Sequence, residues 1–143
     1  MTEKTVLFVD DETMLIELYA DTFKSFGYTT YEATNYHEGM ELFRRHRPIL
    51  VLVDLILNDQ IGGVHCCKSI KDIQPLTIVV AVSGALGGSY TISNLRRQGL
   101  DHVLLKPVRK EAFEYLSLLA YRMRNRWDQI IKTGVDKIKY GTD

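Results

Sequence analysis

Apolar runs alternate with amphipathic stretches along almost the whole chain, and this alternation leaves few folds open. The apolar runs are "TVLFV" (5–9), "ILVLVDL" (49–55), "TIVVAV" (77–82) and "HVLL" (102–105), and "YTTYEA" (28–33) alternates like a half-buried strand. Each is followed by a helical pattern. Residues 12–26 carry Leu15, Leu18, Tyr19, Thr22, Phe23 and Phe26 at helical spacing, and Gly27 is placed to stop them. Residues 36–46 carry Met40, Leu42 and Phe43, with Asn35 as candidate N-cap and Pro48 past the end. Residues 64–73 end before Pro75, 90–98 are closed by Gly99, and a last pattern runs from Arg109 to about Lys132. Strict strand–helix alternation predicts parallel strands joined by right-handed helical crossovers, an α/β doubly wound sheet of five strands. Helices on both faces explain why most strand runs are unbroken apolar rather than alternating.

A chain of 143 residues is one ordinary domain with room for an appendage. Lys+Arg and Asp+Glu are both 18, so net charge pulls the chain toward neither nucleic acid nor membrane, and no direct contact with either is expected. No apolar run approaches the ~20 residues of a membrane span. The start "MTEKTVLFVDDE" has no signal-peptide pattern, which predicts a cytoplasmic protein. Cys66 and Cys67 are adjacent rather than spaced as C-x-x-C, and His65 beside them does not share their helix face. They read as reduced thiols on a helix, one facing the core.

In an open parallel sheet, chemistry gathers at the carboxyl ends of the strands. The first strand ends in Asp10-Asp11-Glu12, the third in Asp54, the fourth in Ser83-Gly84 and the fifth in Lys106-Pro107. Taken singly these are ordinary: Asp11 can cap a helix, Ser83-Gly84 can be a turn, and Lys106 alone says little. Taken together they put carboxylates, a hydroxyl and an ammonium on one edge. Crowded carboxylates raise each other's pKa unless a cation sits between them, and an all-oxygen set suits Mg²⁺. A carboxylate beside that ion can attack a phosphoryl group to give an acyl phosphate, with the lysine offsetting developing charge and Ser83 binding a phosphoryl oxygen.

On "VLFVDDE", "ILVLVDL", "VAVSGA" and "VLLKPV", the chain resembles the receiver domain of two-component response regulators from residue 5 to about 122. The family's fold is the five-stranded one already argued, flavodoxin-like with strand order 2-1-3-4-5, here followed by an extended C-terminal helix. The resemblance implies Asp54 as phosphoacceptor and Asp10, Asp11, Asp54 and the backbone carbonyl of Ile56 around Mg²⁺, with Asp11 the more direct ligand. It implies Ser83 and Lys106 as switch hydroxyl and lysine, and Pro107 as a cis-proline. The phosphodonor is then a sensor histidine kinase or a phosphotransfer protein. The resemblance implies a signalling switch rather than an enzyme, with self-phosphorylation and self-dephosphorylation as its only expected chemistry.

Departures from the family pattern fall around the site. Asn58 stands where proline is usual, in a loop one residue long. Val103 replaces the aromatic switch residue. The loop carrying Gly87-Gly88 is also long, and nearby Tyr90 is better read as a core contact than as a substitute reporter. Ile56 and Ala85 flank the phosphoryl position and cannot orient water, which predicts a long-lived phosphate.

Two other classes compete. A haloacid-dehalogenase-type aspartyl-phosphate hydrolase wants Asp-x-Asp, whereas Asp10 and Asp11 are adjacent. A flavodoxin-like cofactor protein wants a Ser/Thr/Gly phosphate cradle in the first loop, which is acidic instead. The domain reading is 1–122 receiver and 123–143 helical extension or linker, either a stand-alone receiver or a piece of a longer protein. About 20 residues form no independent core, so the output is not encoded there. Leu116, Ala120, Met123, Trp127 and Ile130 follow a heptad-like seam that predicts a homodimer, or another partner, against Trp127.

Overall fold

The five strand segments form one parallel sheet in the order β2-β1-β3-β4-β5. The computed structural model describes residues 2–57, 62–84 and 92–134. The strands are β1 (Thr5–Val9), β2 (Thr29–Ala33), β3 (Leu50–Asp54), β4 (Ile78–Ser83) and β5 (His102–Leu105). The helices are α1 (Thr13–Ser25), α2 (Tyr36–His46), α3 (Gly62–Ile73), α4 (Ile92–Arg97) and α5 (Lys110–Thr133). Every strand of the central trio β1, β3 and β4 is buried throughout, as their unbroken apolar runs require. The outer strands β2 and β5 are only partly covered, which matches their mixed composition.

The sheet divides the core into two layers. Leu7, Val9, Val51, Val53, Val79 and Ala81 face α2 and α3. Val6, Phe8, Leu50, Leu52, Val80 and Val82 face α1 and α5, where Phe23 packs edge-on against Phe8 and Tyr28. Local signals close the elements as read. The Asn35 side chain accepts from the Glu38 N–H at 2.9 Å, and Gly27 and Gly99 take φ of +86° and +95° just past their helices.

Three expectations need correction. The buried face of α1 is Ile16, Tyr19, Ala20 and Phe23, while Leu18 is 61 % exposed. Both cysteines are fully buried, not one. Burial pushes the Cys66 thiol up to about 12 and holds the Cys67 thiol well above its ordinary value, so neither is a ready nucleophile or metal ligand. The heptad-like seam splits: Leu116 and Ala120 belong to the receiver's own core, whereas Met123 and Trp127 are exposed. Asn58, Ala85, Gly87, Gly88 and Tyr90 lie outside the described residues.

The helix α5 runs through residue 122 without a break, 24 residues or about 36 Å at 1.5 Å per residue. Its outer turns are tied to the chain's start. The Thr2 hydroxyl lies 2.7 Å from Asp128 Oδ2 and 3.1 Å from Asn125 Oδ1, and the Lys4 ammonium sits over the Tyr121 ring. No helix among the described residues is long and apolar enough to cross a membrane.

Candidate functional site

Parallel pairing lines up the carboxyl ends of the strands, so the residue after each apolar run arrives at one edge. Val9 is in register with Val53, which puts Asp10 next to Asp54. Asp54 pairs with Val82, one residue short of Ser83, and Ser83 pairs with Leu105, one short of Lys106. The Lys106 N–H donates to the Ser83 carbonyl at 2.8 Å, and the Lys106–Pro107 peptide bond is cis.

The side chains then converge. Lys106 Nζ lies 2.9 Å from Asp54 Oδ2, 3.4 Å from Asp10 Oδ2 and 3.9 Å from Glu12 Oε1. Asp54 is 8 % exposed and Asp10 5 %, with Ser83 buried beside them. The remaining carboxylate oxygens are held by the backbone: Ile56 N–H donates to Asp54 Oδ1 at 3.0 Å, and Glu12 N–H to Asp10 Oδ1 at 2.9 Å. Asp10, Asp11 and Asp54 each bring a carboxylate oxygen within 4.8 Å of the others. Geometry of this kind, all hard oxygen donors with one more open to solvent, fits a small divalent cation.

The electrostatics are unbalanced toward negative. Burial, seconded by the Asp54 charge, pushes Asp10 up to about 6 against the pull of the Glu12 N–H and the Lys106 ammonium. For Lys106, burial alone would lower the pKa. Its hydrogen bond to Asp54 and the charges of Asp10, Asp54 and Glu12 outweigh burial and raise it. One ammonium thus serves an edge with several acids.

All the predicted strand-end residues meet here. Val103 does not: it is half-buried and packs against the core layer that holds Val79, Ala81 and Leu95. Ile56 is 52 % exposed, with its backbone N–H on Asp54. One contributor went unread in the sequence. A Cβ on Gly63 would stand 2.1 Å from the Asp54 carbonyl oxygen and 2.5 Å from Leu55 Cα, so only glycine lets α3 start against the end of β3. The pair Gly62-Gly63 was the available signal.

The chain has known relatives in sequence and in fold. The chain is 28% identical over 108 residues to the polar-differentiation response regulator DivK of Brucella anthropi, covering 73% of this chain and 85% of that one. A CheY-like response regulator receiver domain protein from Methanospirillum hungatei has the same fold, with TM-score 0.77, 21% identity and coverage of 87% of this chain and 99% of that chain. NtrX of Brucella abortus superposes with TM-score 0.80 at 21% identity, over 99% of this chain and 31% of that chain. Residues 6–116 match the response regulator receiver domain family. The hydrolase alternative finds no support among these relatives. A family match across most of the chain, on the sheet order and edge geometry described above, leaves one conclusion: the chain belongs to the response regulator receiver domains of two-component signalling.

Proposed function

We propose that this chain is a cytoplasmic switch that takes a phosphoryl group on Asp54 from a histidine kinase or a phosphotransfer protein. The observation that carries this is Asp54 itself: an acid at the end of a fully buried strand, 2.9 Å from a lysine and within ligand distance of two further carboxylates. An Asp54 carboxylate oxygen forms a bond to phosphorus as the bond from phosphorus to the donor nitrogen breaks, and the donor imidazole leaves. The Lys106 ammonium stays beside Asp54 and holds the new charge. Ser83, one residue from the Asp54 pairing partner, supplies its hydroxyl to a phosphoryl oxygen. The Ile56 and Glu12 N–H groups orient the two buried carboxylates before the donor arrives.

The donor set of Asp10, Asp11 and Asp54 fits Mg²⁺, which these residues and the Ile56 carbonyl would hold, with Asp11 the more direct ligand. When bound, it offsets the excess negative charge of the edge and of the phosphoryl oxygens. In this reading the chain turns over no external substrate. Residues 1–122 are the receiver, and 123 onward extend it toward an output, a partner or a second copy.

The test is phosphorylation by phosphoramidate or acetyl phosphate with Mg²⁺, followed by intact mass. One phosphoryl group should appear on the wild type and none on Asp54→Asn. Equal labelling of that variant overturns the assignment.

A further inference from the structure

The acids of the carboxyl edge are not used alike. Asp10 and Asp54 are buried and accept hydrogen bonds from Lys106 Nζ, at 3.4 and 2.9 Å. Glu12 stands apart from them. Its side chain is 62 % exposed, and its Oε1 lies 3.9 Å from Lys106 Nζ, within ion-pair range but too far for a hydrogen bond. The chain offers Glu12 another use, because it is the N-cap residue of α1 and its carbonyl accepts from the N–H groups of Leu15 and Ile16, both at 3.1 Å. A polar side chain at that position ordinarily accepts from the N–H groups of the first turn. The Glu12 side chain makes no such bond and reaches over the acid edge instead.

Transfer to Asp54 is an in-line displacement, so the leaving group departs on the far side of phosphorus from the attacking oxygen. Asp54 is buried, which turns that far side toward solvent. The donor set for the cation takes up Asp10, Asp11 and Asp54, and Lys106 is hydrogen-bonded to Asp54. Glu12 is the acid left at the mouth, and what leaves there decides whether its charge helps or hinders. A phosphoimidazole protonated on its far nitrogen returns the electron pair of the broken P–N bond to the near nitrogen, keeps its proton, and departs as neutral imidazole. A carboxylate that accepts from the far N–H holds the donor in that protonated form. An acyl phosphate instead releases its electron pair on a carboxylate anion, which meets the like charge of Glu12.

We infer that Glu12 is a specificity-determining residue for the phosphodonor: its carboxylate accepts from the far N–H of a phosphorylated imidazole and so favours phosphohistidine over acyl phosphates. The inference rests on the phosphoacceptor reading and deepens it, by giving one side chain of this chain the choice between two classes of donor.

The rates at which monophosphoimidazole and acetyl phosphate phosphorylate the full chain, at one pH and one saturating Mg²⁺ concentration, test this by their ratio. A change in folding or in Mg²⁺ binding moves both rates in the same direction. In Glu12→Gln the phosphoimidazole rate should fall and the acetyl phosphate rate should rise, lowering the ratio about five-fold, the reach of an exposed charge pair. Glu12→Lys should lower it further. Glu17→Gln removes the same charge further along α1 and should leave the ratio at its wild-type value. A ratio unmoved in Glu12→Gln and Glu12→Lys, or an equal fall in Glu17→Gln, overturns the inference while Asp54 still accepts phosphoryl groups. A chain that takes a phosphoryl group on Asp54 from neither donor overturns the phosphoacceptor reading, and this inference with it.

Discussion

The two edges of the sheet each hold a lysine 2.9 Å from an aspartate, and they could hardly differ more in what surrounds that pair. At the amino edge, Lys71 Nζ also donates to the carbonyls of Pro75 and Thr77, both at 3.0 Å. Its partner Asp101 accepts from the Val79 N–H at 2.8 Å. Donors and acceptors are matched, one cation stands against one anion, and the network clamps α3, β4 and the start of β5. At the carboxyl edge, Lys106 faces Asp54, Asp10 and Glu12 at once, with Asp11 next in line. The same ion pair is thus a finished fastener at one edge and a part-neutralised acid cluster at the other. That imbalance is what the proposed cation and phosphoryl group would offset.

The sharpest break in this comparison needs no charge at all. Gly63→Ala should cost about 3 kcal/mol in urea unfolding, because its Cβ meets backbone atoms of Asp54 and Leu55 that cannot swing aside. Gly39→Ala, whose Cβ would touch only the Val9 side chain at 3.0 Å, should cost clearly less. Equal costs would show that α3 is not held against β3 as described.

Next comes the finished clamp. Lys71→Met leaves Asp101 and two carbonyls short of a donor, which should cost roughly 2 kcal/mol. Phosphorylation of Asp54 should continue at the wild-type rate, since the clamp lies at the opposite edge. A variant that loses phosphorylation while still folded would join the two edges functionally and end the contrast.

How far the chain announced this depends on the range of each signal. The strands, their order of use and the edge acids were readable because period and position are local: an apolar run of five and the residue after it. The Asn35 cap was readable for the same reason. The α1 face was not, because two stripes overlap on an apolar-rich helix. Leu15, Leu18 and Thr22 compete with Ile16, Ala20 and Phe23, and only the position of Phe8 and Phe113 decides between them. The Lys71–Asp101 clamp spans 30 residues with no motif. Gly63 shows its role only with the end of β3 beneath it, a contact no local pattern encodes.

A smaller effect tests the imbalance by pH. Asp10 is pushed up to about 6 from an ordinary 3.8, chiefly by burial. The folded protein therefore binds more protons there than the unfolded chain between those values. Stability from this group is present below about 4 and is lost as pH rises through about 6. Asp10→Asn removes the penalty, so without Mg²⁺ it should be more stable than wild type at pH 7.5, by about 1 kcal/mol after allowing for solvent access. The gain should vanish near pH 4 and shrink when Mg²⁺ is added to the wild type. A gain independent of pH would mean that the charge of Asp10 is not its source.

The smallest effect belongs to the matched edge, where one group is left over. The Thr77 carbonyl is used by Lys71, but its hydroxyl is buried without a hydrogen-bond partner. A buried hydroxyl with no partner has lost its water and gained nothing in return. Valine has nearly the same shape, the same β-branching and no polar atom, and Thr77 sits at the mouth of a strand that favours such residues. Thr77→Val should therefore stabilise the chain by about 0.5 kcal/mol, seen as a shift of the urea midpoint with an unchanged slope. Destabilisation instead would mean that the hydroxyl has a partner, such as an ordered water, and that the amino edge is more polar than its matched ion pair suggests.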